Sequence, residues 1–164
     1  SAMILELLKE AENHPKEKME KIYLALVSDD FSVTGLKHFF DILLAQKEGA
    51  VLWHCSAGKD RVGTTAALLL TALGVDREVI IQYYLLTNGY LEPETEAMIA
   101  KVAAKVPNER ILNGIRILNG AERSYIESMF AETERQCGST EAYLQERLGL
   151  TDEKREMLRE MYLV

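Results

Sequence analysis

The sequence is short of cysteine, of basic charge and of long apolar runs, and each shortage narrows what it can be. Only Cys55 and Cys137 occur, 82 positions apart in 164 residues. Such sparing use points to reduced thiols and a cytoplasmic location rather than a disulfide scaffold. A net charge of −7 lacks the basic footprint of a general nucleic-acid binder. An anionic substrate stays open, because a local nest of N–H groups with one or two cations outweighs a distant negative surface. The longest apolar run, residues 66–75, is interrupted by Thr71 and Gly74 and is too short to span a bilayer, so no integral membrane segment is expected. No basic n-region followed by an apolar h-region opens the chain, so no secretory signal is visible. His14, His38 and His54 are scattered without metal-ligand spacing, and no metal or other cofactor is expected.

What is present is one domain, residues 4–164, long enough to bury a core; Ser1-Ala2 ahead of Met3 reads as the remnant of an expression tag. Apolar residues at helical spacing predict helices over 4–13, 16–27 and 35–46, the last capped by Thr34, with the polar stretch Ser28-Asp29-Asp30 as a break. Further helices are expected over 64–73, 77–86 (capped by Asp76), 92–106 (Pro93 in its first turn), 121–136, 140–147 (capped by Ser139), and from Thr151 to the region of Leu163. The 64–73 helix is apolar almost all round and should be central. The near-repeat of residues 110–114 at 116–120 is too short for a solenoid and is taken as coincidence in a helix–turn connection. Only residues 50–55, Ala-Val-Leu-Trp-His-Cys, have the unbroken apolar character of a strand covered on both faces. A single strand cannot satisfy its own ladder groups, so the sheet it implies would be completed by a missing N-terminal segment or a second chain.

The stretch that follows carries the chemistry. His54-Cys55-Ser56-Ala57-Gly58-Lys59-Asp60-Arg61-Val62-Gly63 runs from the expected strand through a polar turn into an apolar helix. Successive N–H groups in such a turn, a helix N-terminus and Arg61 would all favour an anion, and would lower the pKa of the Cys55 thiol toward a usable nucleophile. Arg61 offers a planar fork to two phosphate oxygens. Ala57 and Gly58 keep side chains out of the backbone's approach, Gly58 tolerates positive φ, and Gly63 permits close packing where the helix begins. Lys59 is suited either to a second anionic group on the substrate or to balancing Asp60. His54 is a candidate to orient the cysteine backbone or sulfur. Asp60 is the one carboxylate in the loop and the first candidate for general acid and base, with Asp29 and Asp30 as the others. A nucleotide phosphate loop does not fit, because Trp53 stands where its first glycine belongs and Asp60 follows the lysine.

This string resembles the His-Cys-x5-Arg signature of the cysteine-dependent protein tyrosine phosphatase superfamily, and most closely the HCxAGKDR loop of the bacterial tyrosine/serine phosphatases. Residues 66–70, 73–75, 84–88 and 138–151 also look like the C-terminal half of that family. The resemblance implies an α/β fold with a central sheet flanked by helices, this chain being helix-rich, poor in strands and without the family's N-terminal part. It implies Cys55 as nucleophile, Arg61 as phosphate clamp, residues 56–63 (Ser56, Ala57, Gly58, Lys59, Asp60, Arg61, Val62, Gly63) as the phosphate-binding loop, and a phosphorylated protein or phospholipid as substrate. Val62 departs from the family, which usually has a hydroxyl there to assist turnover. The expected function is phosphomonoester hydrolysis through a phosphocysteine, with phosphotyrosine ahead of phosphoserine, phosphothreonine or phosphoinositide; the alternative is a weak or inactive phosphate-binding module.

Overall fold

Among the described residues the chain forms nine helices and no strand in a computed structural model, which describes residue 9 and residues 12–163. The helix expected over 4–13 lies largely outside those residues. The others are α1 (Pro15–Ser28), α2 (Asp30–Ala45), α3 (Asp60–Ala72), α4 (Arg77–Leu85), α5 (Thr87–Ala103), α6 (Glu109–Asn119), α7 (Arg123–Cys137), α8 (Thr140–Glu146) and α9 (Asp152–Tyr162). None is long and apolar enough to cross a membrane.

The expected central sheet is therefore corrected: the described fold is helical, not α/β. Residues 50–55 are extended, and they alternate as a strand does, with Val51, Trp53 and Cys55 turned partly inward and Leu52 and His54 exposed. Among the described residues no second strand runs beside them, and residues 50–54 make no backbone–backbone hydrogen bond. One face packs on α2, where the Trp53 ring meets Phe39 edge-on at 5.2 Å. The other face is bare, and Leu52 is 89% exposed.

Helix starts follow their caps. Asp29, not Thr34, begins α2, accepting from the N–H groups of Phe31 and Ser32, each at 3.1 Å. Thr34 lies within the helix and donates to the Asp30 carbonyl. Asp76, Ser139 and Thr151 cap α4, α8 and α9 as their sequences suggest. α5 begins at Thr87 rather than 92, which puts Pro93 inside it. The added turn is held from a distance, because the Asn88 amide bonds both the N–H (2.7 Å) and the carbonyl (2.8 Å) of Ala121. Residues 110–119 form one helix, with the near-repeat as two consecutive stretches.

α3 has the central place its composition predicts, with no exposed residue from 62 to 72. Around it Tyr23, Val27, Phe40, Leu43, Leu68, Tyr125, Met129 and Leu144 form the main core. A smaller cluster of Ile99, Ile111, Leu112 and Ile115 joins α5 to α6. The carbonyl of Val27 near the end of α1 is taken up by Tyr143 Oη at 2.8 Å and Gln136 Nε2 at 3.2 Å, which ties α1 to α7 and α8.

Replacing Leu68, which has no exposure, with alanine is expected to cost about 2–5 kcal/mol in urea denaturation. Leu52→Ala, on the bare face, should stay within about 0.5 kcal/mol of the parent. A large loss from Leu52→Ala would mean that this face is covered in solution.

Candidate active site

α3 begins at Asp60 and not near residue 64, so Asp60, Arg61 and Val62 occupy the first turn of a helix. Its first intrahelical bond runs from the Gly63 N–H to the Lys59 carbonyl at 2.7 Å. The N–H groups ahead of Gly63 are those a helix leaves unpaired, and the turn before them aims its own in the same direction. Gly58 makes this possible with φ +64°, a left-handed conformation costly for any residue with a Cβ.

The consequence falls on Cys55. The backbone N–H groups of Ala57, Gly58, Lys59 and Val62 turn toward its sulfur and favour the thiolate. Burial pushes the Cys55 thiol up, but the four donors together outweigh it and hold the thiol below its ordinary value. Cys137 goes the other way, pushed up by burial and by the nearby Glu146 carboxylate. The two thiols are free, and only one is built to ionise.

The side chains of the loop divide between an upper and a lower tier. Arg61 is exposed, its Nη2 3.3 Å from Ser56 Oγ across the mouth of the turn. Lys59 points the opposite way and is 2% exposed. Its Nζ pairs with Asp60 Oδ1 at 2.8 Å, donates to the Leu118 carbonyl at 3.0 Å and lies 5.7 Å from the Tyr125 ring centre. Of the two roles open to Lys59 in the sequence, its side chain takes the balancing of Asp60, while its N–H turns toward Cys55. Asp60 is partly exposed and lines a cavity of about 170 Å³ with Ser56, Ala57, Thr95, Met98 and Asn119. A second cavity of about 250 Å³, mostly apolar, opens beside Arg61 between Phe31, Leu36 and Phe39.

Among the described residues, His54, Asp29 and Asp30 make no side-chain hydrogen bond to residues 55–63. The His54 ring is exposed and makes no hydrogen bond to a described residue, because consecutive residues of an extended segment face opposite ways. Asp29 is committed to its cap, its pKa held down by the Ser32 hydroxyl and by the N–H groups of Ser32 and Phe31. Asp30 is an exposed first-turn residue of the same helix.

Sequence reasoning missed the layer beneath the loop. Tyr84 packs so closely on Gly63 that a Cβ there would come within 3.0 Å of its ring, which explains why glycine begins the apolar run of α3. Tyr84 and Tyr23 join through their hydroxyls at 2.6 Å, and Tyr23 reaches Asp60 at 2.9 Å. The available signal was tyrosine rather than phenylalanine at core positions, since a buried phenol needs a partner.

A thiol beneath backbone donors, with an exposed guanidinium at the rim of the same turn, is an arrangement suited to an anion. This chain belongs to the tyrosine phosphatase family, which matches it across residues 2–164. It is 48% identical over 56 residues to the tyrosine-protein phosphatase of Nostoc commune, covering 34% of this chain and 19% of that protein. It is 48% identical over 52 residues to the triple specificity protein phosphatase PtpB of Mycobacterium tuberculosis, covering 32% of this chain and 18% of that relative. A relative from Cupriavidus necator is 28% identical over 127 residues, 77% of this chain and 45% of its own length. The chain thus spans less than half the length of these relatives.

Alkylation separates the two thiols. At neutral pH iodoacetamide should modify Cys55 at least several-fold faster than Cys137, and the Cys55 rate should level off at the lower pH. Peptide mapping after limited reaction reads both; equal rates in the folded chain would contradict the donor ring.

Proposed function

We propose that this chain carries the catalytic loop of a phosphomonoester hydrolase acting on phosphotyrosine in proteins through a phosphocysteine. The observation that carries the reading is the convergence of four N–H groups on Cys55 Sγ. Donors that steady a thiolate also suit the equatorial oxygens of a phosphoryl group in flight, so one cradle serves nucleophile and transition state. Arg61 adds a bidentate contact to two of those oxygens.

In the first step the Cys55 thiolate attacks phosphorus in line, the S–P bond forms and the P–O ester bond breaks. Asp60 gives its proton to the departing oxygen. In the second step the Asp60 carboxylate takes a proton from water, the water oxygen attacks phosphorus, the S–P bond breaks, and the thiolate and inorganic phosphate are released. Asp60 suits both steps because it lies within the loop itself, one residue from Arg61.

Phosphotyrosine is favoured over the phosphoseryl and phosphoinositide alternatives by the family's description and by the apolar cavity beside Arg61. Phe31, Leu36 and Phe39 there could flank an aromatic ring whose phosphate reaches the loop. Val62 has only its N–H to offer the sulfur, and a threonine would add a hydroxyl at the stage where the intermediate is hydrolysed.

Cys55→Ser should abolish hydrolysis of phosphotyrosyl peptides while keeping binding of inorganic phosphate; a parent chain that binds phosphate without turnover would instead support a binding module. Val62→Thr should raise the rate of dephosphorylation of the intermediate, read as a smaller steady-state phosphoenzyme fraction, and an unchanged fraction would remove Val62 from turnover.

A further inference from the structure

Beneath the loop lie two phenols that the reaction above does not use, Tyr23 and Tyr84. Tyr23, in the middle of α1, has no exposure, and its hydroxyl donates to Asp60 Oδ1 at 2.9 Å. The Tyr84 hydroxyl lies 2.6 Å from the same phenol oxygen. A phenol has one proton to give. Tyr23 spends its proton on Asp60, so in the contact between the two phenols Tyr84 must be the donor. Burial, reinforced by Tyr84 and by Asp60, pushes Tyr23 far above the ordinary phenol range, and burial likewise raises Tyr84, so both stay protonated. The chain of donation therefore has one direction, from Tyr84 to Tyr23 to Asp60.

Its end point is selective. Asp60 Oδ1 faces two donors, the Tyr23 hydroxyl and the Lys59 ammonium at 2.8 Å. Oδ2 accepts no hydrogen bond from a described residue, while the side chain is 30% exposed and borders the cavity shared with Ser56 and Ala57. We propose that Tyr23 is a positioning residue for Asp60: from below the loop it holds Oδ1 and leaves Oδ2 as the oxygen that exchanges the proton with leaving group and water. The proposal rests on the reading of Asp60 as acid and base.

The arrangement suits both protonation states. With the proton on Oδ2, Oδ1 is a carbonyl oxygen and still accepts from the phenol. Once the proton has left, both donors steady the carboxylate without a change of partner. Lys59 alone would not fix the rotation of the carboxyl, because an ammonium attracts without a preferred plane. The Tyr23 ring supplies rigidity, packed between Tyr84 (centroids 6.0 Å, 73°) and Tyr125 (5.7 Å, 40°).

The test is kinetic and uses the whole chain with two aryl phosphates, phenyl phosphate and 2,4-dinitrophenyl phosphate, whose leaving groups need a proton to very different degrees. Tyr23→Phe should lower kcat for phenyl phosphate on the order of tenfold, a part of what general acid catalysis contributes. The dinitrophenyl ester should be nearly unaffected and KM little changed. Tyr84→Phe, which leaves Tyr23 in place, should shift the two esters in the same sense but less, and covers the case in which Tyr23→Phe does not fold. In an Asp60→Asn background Tyr23→Phe should add nothing. Equal losses with both esters, or a Tyr23→Phe loss that persists in Asp60→Asn, would reduce Tyr23 to a packing role and overturn the proposal. If Asp60→Asn itself shows no dependence on the leaving group, the reading of Asp60 fails and this proposal fails with it. Absence of any Cys55-dependent turnover would overturn the phosphatase reading before either.

Discussion

The convergence of four backbone N–H groups on one sulfur is the constraint on which the rest of this structure depends. Amides are fixed in number and direction by φ and ψ, so they can be aimed only by shaping the chain itself. Gly58 in the left-handed region and the helical turn from Asp60 onward provide that shape. Held this way, the donors are paid for in folding and need no rearrangement when charge develops. Everything beneath the loop can be understood as keeping that shape against solvent and thermal motion.

The support is polar and, Asp60 apart, buried. Lys59, Asp60, Tyr23 and Tyr84 form a connected group under the first turn of α3, with the Leu118 carbonyl and the Tyr125 ring closing its sides. Such a group is costly unless its donors find acceptors. Its effect is directional, since it draws Lys59 inward while Arg61 is left at the surface. Two cations two residues apart thereby take opposite positions, Lys59 buried beneath the loop and Arg61 exposed at its rim.

Much of the helical pattern was legible, and the reasons for the misses are specific. α4, α8 and α9 begin where an aspartate, a serine and a threonine announce them, because a cap is a local hydrogen bond. α5 begins five residues earlier than its sequence suggests because Asn88 is anchored by Ala121, far along the chain. The strand expected at 50–55 does not form. The extended conformation and the alternation are there, but a sheet needs a neighbour, and the described residues provide helices instead. Composition could not separate a strand buried on both faces from one with a bare side.

The order of residues from Cys55 to Gly63 determined by itself the site's chemistry: a thiol, small residues that let the backbone close in, a guanidinium and the start of a helix. That much is local, because a turn and a helix N-terminus are made by neighbours in sequence. Only the tertiary structure decided that Lys59 turns inward, that His54 stands aside, and that Asp60 is gripped from below by Tyr23. Those outcomes depend on α1 and α4 meeting beneath α3, through contacts 37 and 61 residues apart in the chain. Burial gives such contacts their strength, and no pattern in one short stretch can foretell which phenol will come to lie under which carboxylate.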